Sequence, residues 1–482
     1  MADKDFDRGK IHKLGSIGRE LLVTGLKLDQ YDLESALWKS GSNVRFSNSG
    51  VEKVQGYSAI FATTPTAPIR GMTAVVDSGI QKLYYGDQAA LYESVAAGAP
   101  TTVGSGYTGN LNGSVTSQAS YWSMVGFGTW ILATNGKDAP QIFKTTSFTT
   151  LNLDSQFTTA EVFMVSGPHV IAMNLDTNQK TVAWSDEDDP ETWIPDTANA
   201  AGSLILRELE GGIIAAASLG DKIAIYGKDQ MFILSYVGAP FYFGYKPALD
   251  SIGAVSKAVV VSHGRLNYGL GRHGFWVTDG VQINYIDDPD IKNWVQDNVN
   301  WAQVSKACGY HDEENTQIVW CVPTTTGEPD TTIAYDYERK VWSMGNIDFT
   351  SAIPREVFNN PLIADSSGDV WYTNFGQDAN GAALSASIQS VAIDLNEPDL
   401  IKEITAIRIG YIGSGLRFRV GNSETVDGTV EWTSYIEVPA GFEFQPMRLS
   451  GRYLWLELDS QDIGDEWSVQ RIDFHGRIGG TR

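Results

Sequence analysis

Short apolar runs separated by turn residues recur along the middle of the chain. Each run passes through a turn rich in Gly, Asn or Asp into a second strand that contains aromatic residues. Apolar runs of this length between turn signals are typical of β-strands, whereas helices need longer periodic segments. The pattern predicts an all-β fold. The seven strand–turn–strand units begin with Lys82–Tyr85, Trp130–Thr134, His169–Met173, Lys222–Tyr226, Leu266–Leu270, Gln317–Pro323 and Pro361–Ala364.

The spacing of these units indicates a repeat. Their turns begin at residues 86, 135, 174, 227, 271, 324 and 365, and intervals of about 40 to 50 residues are expected of a four-stranded propeller blade. A hairpin cannot bury both of its own faces, but blades stacked around an axis cover one another. We therefore expect a β-propeller over residues 66–395, with about seven blades; six remain possible because the spacing is irregular.

Two regions flank the predicted propeller. Residues 1–65 contain a helical candidate at Asp32–Leu37 and a hairpin turning at Ser47–Gly50, and we interpret them as a docking region. Residues 396–482 alternate apolar and polar positions over five or six segments, which predicts a C-terminal β-sandwich-like domain. Within the propeller region, Pro289 precedes a predicted helix at Asp290–Val299.

Charge is concentrated in the middle of the chain. The net charge is −23, and residues 61–399 hold 17 basic against 38 acidic residues. Such a surface repels phosphates and argues against nucleic-acid binding through counterion release. Solubility explains most of these acids; the more specific alternative is a wall past which DNA slides without adhering.

Cysteine content and hydropathy bear on the folding compartment. The chain has no apparent export signal, no apolar run long enough to span a membrane, and only two cysteines, Cys308 and Cys321. We therefore expect folding inside the cell. The two thiols flank one predicted strand turn, and we expect them to face each other as reduced core residues in preference to a reactive role.

Several short patterns superficially resemble chemical sites. Gly269–Gly274 reads GLGRHG, but a strand and a turn follow it, where a phosphate-binding loop requires a helix. The acidic runs Asp186–Asp189 and Asp287, Asp288 and Asp290 lack the spacing of a calcium loop and are expected to be solvated loops. Asn112 begins a glycosylation triplet, which has no meaning without export.

The histidines also fail to form a recognisable site. No pair has zinc-ligand spacing, and nothing singles out a pair of carboxylates for glycoside hydrolysis. We therefore predict a protein that is not an enzyme, with no catalytic residues, no cofactor and no metal. Most of the 14 Trp residues occupy alternating strand positions, which favours core packing over a carbohydrate surface. The histidines are His12, His169, His263, His273, His311 and His475.

Five segments, taken in order, resemble the tail hub or nozzle proteins of short-tailed bacteriophages, also described as packaged-DNA stabilization proteins. The resemblance covers about residues 43–345 and is distributed, with no single diagnostic motif. The segments are NVRFSNSGVEKVQGY (Asn43–Tyr57), VAWSDEDDPETW (Val182–Trp193), GDKIAIYGKDQMFILSYVGAP (Gly220–Pro240) followed by SIGAV, GRHGFWVTDGVQINYI (Gly271–Ile286) and AYDYERKVWSM (Ala334–Met344).

This resemblance implies a structural virion protein of the phage tail, made in the host cytoplasm. Six copies would form a ring below the portal and its adaptor, extend the DNA channel, retain the packaged genome and release it on ejection. The ring would dock fibres or tailspikes and accept a plug or needle, and DNA would pass without specific binding. We expect acidic residues to line part of the channel, and removal of the last eighty or so residues to leave a soluble propeller that cannot join tails. The alternative is a carbohydrate-binding or depolymerising propeller.

Overall fold

The computed structural model describes residues 12–17, 22, 24–26, 37–61, 65–95, 98–108, 121–439 and 443–479. The chain divides into two compact units. We call residues 59–338 and 347–373 the seven-sheet unit, and residues 1–58, 339–346 and 374–482 the two-sheet unit. The predicted helix at Asp32–Leu37 lies outside the described residues, apart from Leu37.

The seven-sheet unit consists of small antiparallel sheets formed by consecutive strands. Sheets 1 to 5 have four strands each, and sheets 6 and 7 each have three strands in this unit. Sheet 7 also pairs with the short strand Tyr57–Ala59, whose last residue is the first of this unit. The strands are, for sheet 1, Met72–Asp77, Ile80–Gly86, Ala90–Val95 and Thr101–Ser105; for sheet 2, Ser123–Phe127, Trp130–Thr134, Gln141–Phe143 and Phe148–Thr150; for sheet 3, Ala160–Ser166, His169–Leu175, Asn178–Trp184 and Gly202–Ile205; for sheet 4, Ala215–Leu219, Lys222–Tyr226, Gln230–Gly238 and Tyr242–Asp250; for sheet 5, Val261–His263, Leu266–Gly271, Gly274–Thr278 and Ile283–Tyr285; for sheet 6, Cys308–Asp312, Gln317–Val322 and Thr331–Asp336; and for sheet 7, Ser351–Ile353, Leu362–Ala364 and Val370–Thr373.

The all-β prediction is confirmed. Each of the seven predicted hairpins forms the second and third strands of one sheet. The predicted helix is also present, at Pro289–Asn298. The Asp288 carboxylate accepts a hydrogen bond from the Ile291 amide at 3.0 Å, which caps the first turn.

Apolar side chains hold neighbouring sheets together. Sheets 1 and 2 share a core around Tyr84 and Ile131, and sheets 3 and 4 share one around Trp184 and Phe232. The first strands of consecutive sheets contact one another, and the first strand of sheet 7 contacts that of sheet 1. Each sheet therefore buries its apolar face against the next, as the hairpin argument requires.

The two-sheet unit combines strands from both ends of the chain. Sheet 8 has the order Val44–Ser47, Gly50–Lys53, Glu466–Ile478, Lys402–Ser414, Phe444–Gly451, and His12–Ile17 also pairs with Glu466–Ile478. Sheet 9 has the order Trp38–Ser42, Ala386–Ser390, Tyr453–Ser460, Arg417–Ser423, Glu431–Trp432, and Ile436–Glu437 also pairs with Arg417–Ser423. Val341–Gly345 belongs to this unit as well. Inward residues of both sheets, including Phe418 and Phe474, share one core.

The predicted boundaries at residues 65 and 395 therefore do not separate the two flanking regions from each other. The predicted hairpin at Ser47–Gly50 is present, but its strand Gly50–Lys53 pairs with residues near the C-terminus, Val51 opposite Val469. The buried Lys53 ammonium donates to the Asp465 carbonyl at 2.7 Å. Strand alternation is visible in a sequence, whereas the partner of a strand more than 400 residues away is not.

This pairing changes the expected result of a C-terminal truncation. Removing residues 396–482 deletes central strands of sheets 8 and 9 and exposes core residues such as Trp38 and Phe46 to water. We expect the truncated protein to aggregate, or to lose residues 1–58 to limited proteolysis, instead of remaining a soluble propeller. Size-exclusion chromatography and mass spectrometry of tryptic digests, with the full chain as control, test this. A monodisperse truncation with intact residues 37–58 would contradict it.

Candidate functional site

A cluster of charged and polar side chains connects five of the seven sheets. We call it the central ion cluster. It joins segments that precede or begin first strands, together with one loop of sheet 6. The loop lies between the second and third strands of that sheet and contains Glu328. The other members are Arg70 before sheet 1, Tyr121 before sheet 2, Glu161 in sheet 3, Lys257 before sheet 5 and Lys306 before sheet 6.

Arg70 is the most connected member. Its two terminal nitrogens lie 2.6 and 2.7 Å from the two carboxylate oxygens of Glu328, and Nη1 donates to the Tyr121 hydroxyl at 3.2 Å. The guanidinium also lies over the Tyr121 ring, 5.4 Å from its centroid. The Arg70 side chain is 5% exposed. A planar guanidinium suits this paired arrangement, which a Lys ammonium would not reproduce.

The other members extend the contacts across the unit. The Lys306 ammonium lies 3.0 Å from Glu328 Oε1, and the Tyr121 hydroxyl donates to the Lys306 carbonyl at 2.8 Å. Lys257 donates to the Tyr121 carbonyl and pairs with Glu161. Side chains from sheets 1, 2, 3, 5 and 6 thus meet in one place, although Arg70 and Glu328 are 258 residues apart in sequence.

Mutual neutralisation sets the protonation states. Burial works against the charge on Arg70, but Tyr121 and Glu328 raise its pKa above the usual value. Burial alone would raise the pKa of Glu328, and the hydrogen bonds and charges of Arg70 and Lys306 overcome this and lower it. The two groups remain ionised because of each other. The Glu328 carboxylate is therefore a poor general acid or base near neutral pH, and its geometry serves to hold segments together.

No local motif marked the central ion cluster. The available signal was a charged residue inside an apolar segment, since Arg70 lies in APIRGM just before a predicted strand. Such a residue is buried only when it is paired, but the sequence does not show that its partner is Glu328.

The GLGRHG segment forms a hairpin, as predicted. Leu266–Gly271 and Gly274–Thr278 are adjacent strands of sheet 5, and no helix follows. Gly274 has φ of +123°, and a Cβ there would lie 1.9 Å from Asp287 Oδ2. The glycines therefore serve the turn and close packing, and the segment lacks the helix terminus that binds phosphate.

The two acidic runs have structural partners. Asp186 and Asp189 accept hydrogen bonds from backbone amides of the loop after the third strand of sheet 3, including Ala200 at 2.8 Å and Glu191 at 3.0 Å. Asp288 caps the helix, and Asp287 Oδ2 accepts from the Phe275 amide at 3.3 Å. Among the described residues, no three His, Cys, Asp or Glu side chains are arranged to hold a metal ion.

Two histidines that are separate in sequence come together. The rings of His263 in sheet 5 and His311 in sheet 6 are 4.4 Å apart, and Tyr337 stacks on His263 at 4.7 Å. Burial and the neighbouring His263 lower the pKa of His311. Sequence spacing did not indicate this contact. His169 is fully buried with Nδ1 2.8 Å from the Ser185 carbonyl oxygen, while His12 belongs to a strand of sheet 8 and His475 contacts the Phe444 ring.

The cysteines lie as predicted. Cys308 and Cys321 are directly opposite each other in sheet 6, and both are buried free thiols. Burial raises the pKa of the Cys321 thiol to about 12 and that of Cys308 well above its usual value. Because the thiolate is the reactive form, neither residue is suited to nucleophilic chemistry.

One open pocket of about 440 Å³ lies between sheets 2 and 3. The half-buried aromatic residues Phe127 and Trp130 and the exposed Asp188 line it, and the Lys144 ammonium lies 5.2 Å from the Trp130 ring centroid. We call it the sheet 2–3 pocket. Its remaining lining residues are Gly126, Gly128, Thr129, Val165 and Gly167.

No protein-family model matches the chain, and no curated protein matches it. Solved structures that resemble it include PorZ, a bacterial surface component of the type-IX secretion system of Porphyromonas gingivalis, at 11% identity and a TM-score of 0.36. The match covers 73% of this chain, which spans 44% of the length of that protein. None of the described helices has the length and hydropathy needed to cross a membrane.

Replacing Arg70 by Met should destabilise the seven-sheet unit. The change leaves the Glu328 carboxylate with Lys306 as its remaining cation and should lower the free energy of unfolding by about 3 kcal/mol. Chemical denaturation followed by Trp fluorescence measures this. The control is Lys144→Met, which breaks the more exposed pair with Glu191 and should cost less than about 1 kcal/mol. Equal losses in both variants would show that the central ion cluster contributes nothing special.

Asp287 should make stability fall as the pH rises. Burial raises its pKa to about 6, above the value of about 4 in an unfolded chain. The folded state therefore favours the protonated acid, and stability declines between about pH 4 and pH 6. Asp287→Asn should raise the melting temperature at pH 8. We expect the free energy of unfolding to rise by about 1 kcal/mol, a modest gain because the group is only half-buried. The gain should vanish below about pH 4.

Asp279→Asn is the matched control for that measurement. Hydrogen bonds from the Gln282 and Val281 amides lower the pKa of Asp279, so its contribution is present at neutral pH and is lost as the pH falls. The two variants should therefore shift the melting temperature at pH 8 in opposite directions. Shifts of the same sign would contradict the assignment for Asp287.

Proposed function

We propose that this chain is a structural subunit of a short-tailed bacteriophage tail, a hub or nozzle protein whose seven sheets close into a β-propeller. In this proposal six copies form a ring that extends the DNA channel below the portal and adaptor. The ring retains the packaged genome, releases it on ejection and docks fibres or tailspikes. The protein acts as architecture and catalyses no reaction.

The order of contacts between sheets supports the closed propeller. The contact between the first strands of sheets 7 and 1 completes the series that begins with sheets 1 and 2. The Ile60 amide donates to the Val370 carbonyl at 3.1 Å, so the start of the unit meets its last sheet. A propeller joined in this way leaves only short, protected sheet edges.

The observation that carries the architectural role is the central ion cluster. Arg70 and Lys306, which precede sheets 1 and 6, both pair with Glu328. A connected set of buried and half-buried charges makes the unit rigid, which suits a component that bears load during assembly and ejection. The five resembling segments between Asn43 and Met344 supply the assignment to phage tails in particular.

The acidic excess fits passage of DNA without adhesion. The loops of sheet 3 expose a series of carboxylates, among them Glu187 and Asp188. Acidic side chains do not release counterions from DNA phosphates, so a channel that they line does not attract the genome electrostatically. Retention then depends on steric closure by other tail components.

Electron microscopy of the purified protein tests the proposal. Mixed with the portal–adaptor complex of the same phage, the protein should add a six-fold ring to that complex. The portal–adaptor complex alone and an unrelated acidic protein of similar size are the controls. Failure of the protein to bind the complex under conditions in which the adaptor is intact would overturn the proposal.

The sheet 2–3 pocket favours one alternative, a carbohydrate-binding propeller. Phe127 and Trp130 offer ring faces, and the Asp188 carboxylate at the pocket accepts hydrogen bonds, which is the chemistry that sugars use. Incubation with purified host surface polysaccharide distinguishes the two functions. Binding that Trp130→Ala abolishes, or release of oligosaccharides, would favour the alternative over a purely structural subunit.

A further inference from the structure

The second hairpin of sheet 4 projects beyond its sheet. Its strands, Gln230–Gly238 and Tyr242–Asp250, have nine residues each and are the longest in the seven-sheet unit among the described residues. The neighbouring strand Lys222–Tyr226 pairs only with residues 231–234. Beyond Leu234, the two strands of the hairpin pair with each other alone on that side, Ser235 with Gly244 and Tyr236 with Phe243.

The tip of this hairpin is apolar and exposed. Tyr236 is 52% exposed, Val237 58% and Phe241 74%. Phe241 is among the most exposed large apolar side chains of the described chain. We call these three residues the knob. No charged residue occurs from Gln230 to Tyr245, although the region 61–399 around this stretch carries 21 net negative charges.

The base of the hairpin is anchored, so the knob is held in a defined position. Phe243 is buried, with its ring 5.2 Å from Trp184 and 5.4 Å from His169, both in sheet 3. The Tyr236 ring lies 6.1 Å from His169. Aromatic packing at the base and exposure at the tip are what a preformed docking element requires, because little conformational entropy remains to be lost on binding.

The sheet 2–3 pocket lies beside the base of this hairpin. His169 lies two residues after Gly167, which lines the pocket, and the amide of Asp188, another lining residue, donates to the Pro168 carbonyl at 2.9 Å. Phe241, at 74% exposed, does not fill the pocket of its own chain. The unit therefore carries both an apolar protrusion and an open pocket lined in part by aromatic residues.

We propose that the knob of one copy inserts into the sheet 2–3 pocket of a second copy of this chain. Phe241 is the anchor, and Phe127, Trp130 and Val165 form the walls that receive it. An aromatic side chain seated in a preformed pocket is the usual centre of a protein–protein contact. The inference goes beyond the proposed function, since it identifies a contact between copies that stands or falls whether or not the assembly belongs to a phage tail.

Charge explains why a second copy meets this chain at the knob. Two molecules of net charge −23 repel each other, and the repulsion is smallest where the approaching surface is neutral. The hairpin that carries the knob offers such a surface, because none of the sixteen residues Gln230–Tyr245 is charged. The neutral knob thus favours association between like-charged copies.

Sedimentation velocity of the full chain, from low micromolar to tens of micromolar protein, tests the contact. The wild-type protein should self-associate, and Phe241→Asp should weaken the association by about ten-fold or more, since it places a charge in an apolar pocket. Thr129→Arg, which puts a long side chain into the receiving pocket, should have the same effect. Val281→Asp is the matched control, because Val281 is 73% exposed in the same unit and lies outside both surfaces. Melting temperatures confirm that the variants fold.

Each outcome decides the inference. Loss of association in the knob and pocket variants, with association retained in Val281→Asp, supports it. A wild-type protein that stays monomeric over the whole range overturns it, as does association that Phe241→Asp leaves unchanged. If host polysaccharide binds in the pocket, as shown by loss of binding in Trp130→Ala, and an excess of it leaves self-association unchanged, the knob does not occupy the pocket and the inference fails. Binding to the portal–adaptor complex is read separately, so failure of the proposed function is distinguishable from failure of this contact.

Discussion

A small antiparallel sheet has two faces and cannot bury either of them by itself. In this protein the solution is repeated seven times: each sheet covers its neighbour through shared cores such as those around Tyr84 and Trp184. Burial of apolar area is the largest favourable contribution to folding, so this mutual covering is the constraint on which the seven-sheet unit depends. Indole N–H groups at the sheet interfaces find backbone carbonyls, as Trp276 does at Gly253 and Trp320 at Val259. These two tryptophans are therefore buried with their indole N–H groups paired.

Charge is distributed in two contrasting ways. Arg70 is buried and pairs with the half-buried Glu328, which also pairs with Lys306, whereas most acidic residues of the loops are exposed or cap backbone amides. The buried set favours one arrangement of the sheets, because any shift that separates the ions leaves a charge in a poorly solvated place. The exposed set keeps the surface negative. The uncharged hairpin that carries the knob therefore differs from the surface around it.

The histidine pair and the acidic runs show how sequence patterns and spatial sites differ. His263 and His311 have no meaningful spacing, yet their rings meet because neighbouring sheets bring their first strands together. Asp287 and Asp288 are adjacent in sequence, but one is half-buried at a hairpin and the other caps a helix. Proximity in sequence therefore predicted neither a shared role nor a shared environment.

The sequence by itself determined the local structure: strands, hairpins, the helix after Asp288 and the opposition of Cys308 and Cys321, because each depends on residues close together in the chain. The tertiary structure alone decided which strands from the two ends share a sheet and which charges meet in the central ion cluster. Val51 pairs with Val469, and Arg70 binds Glu328, 258 residues away. Alternation specifies which face of a strand is buried but not which strand lies beside it, and a buried charge requires a partner without specifying it. Packing of the whole chain determined both the strand partners and the ion-pair partners.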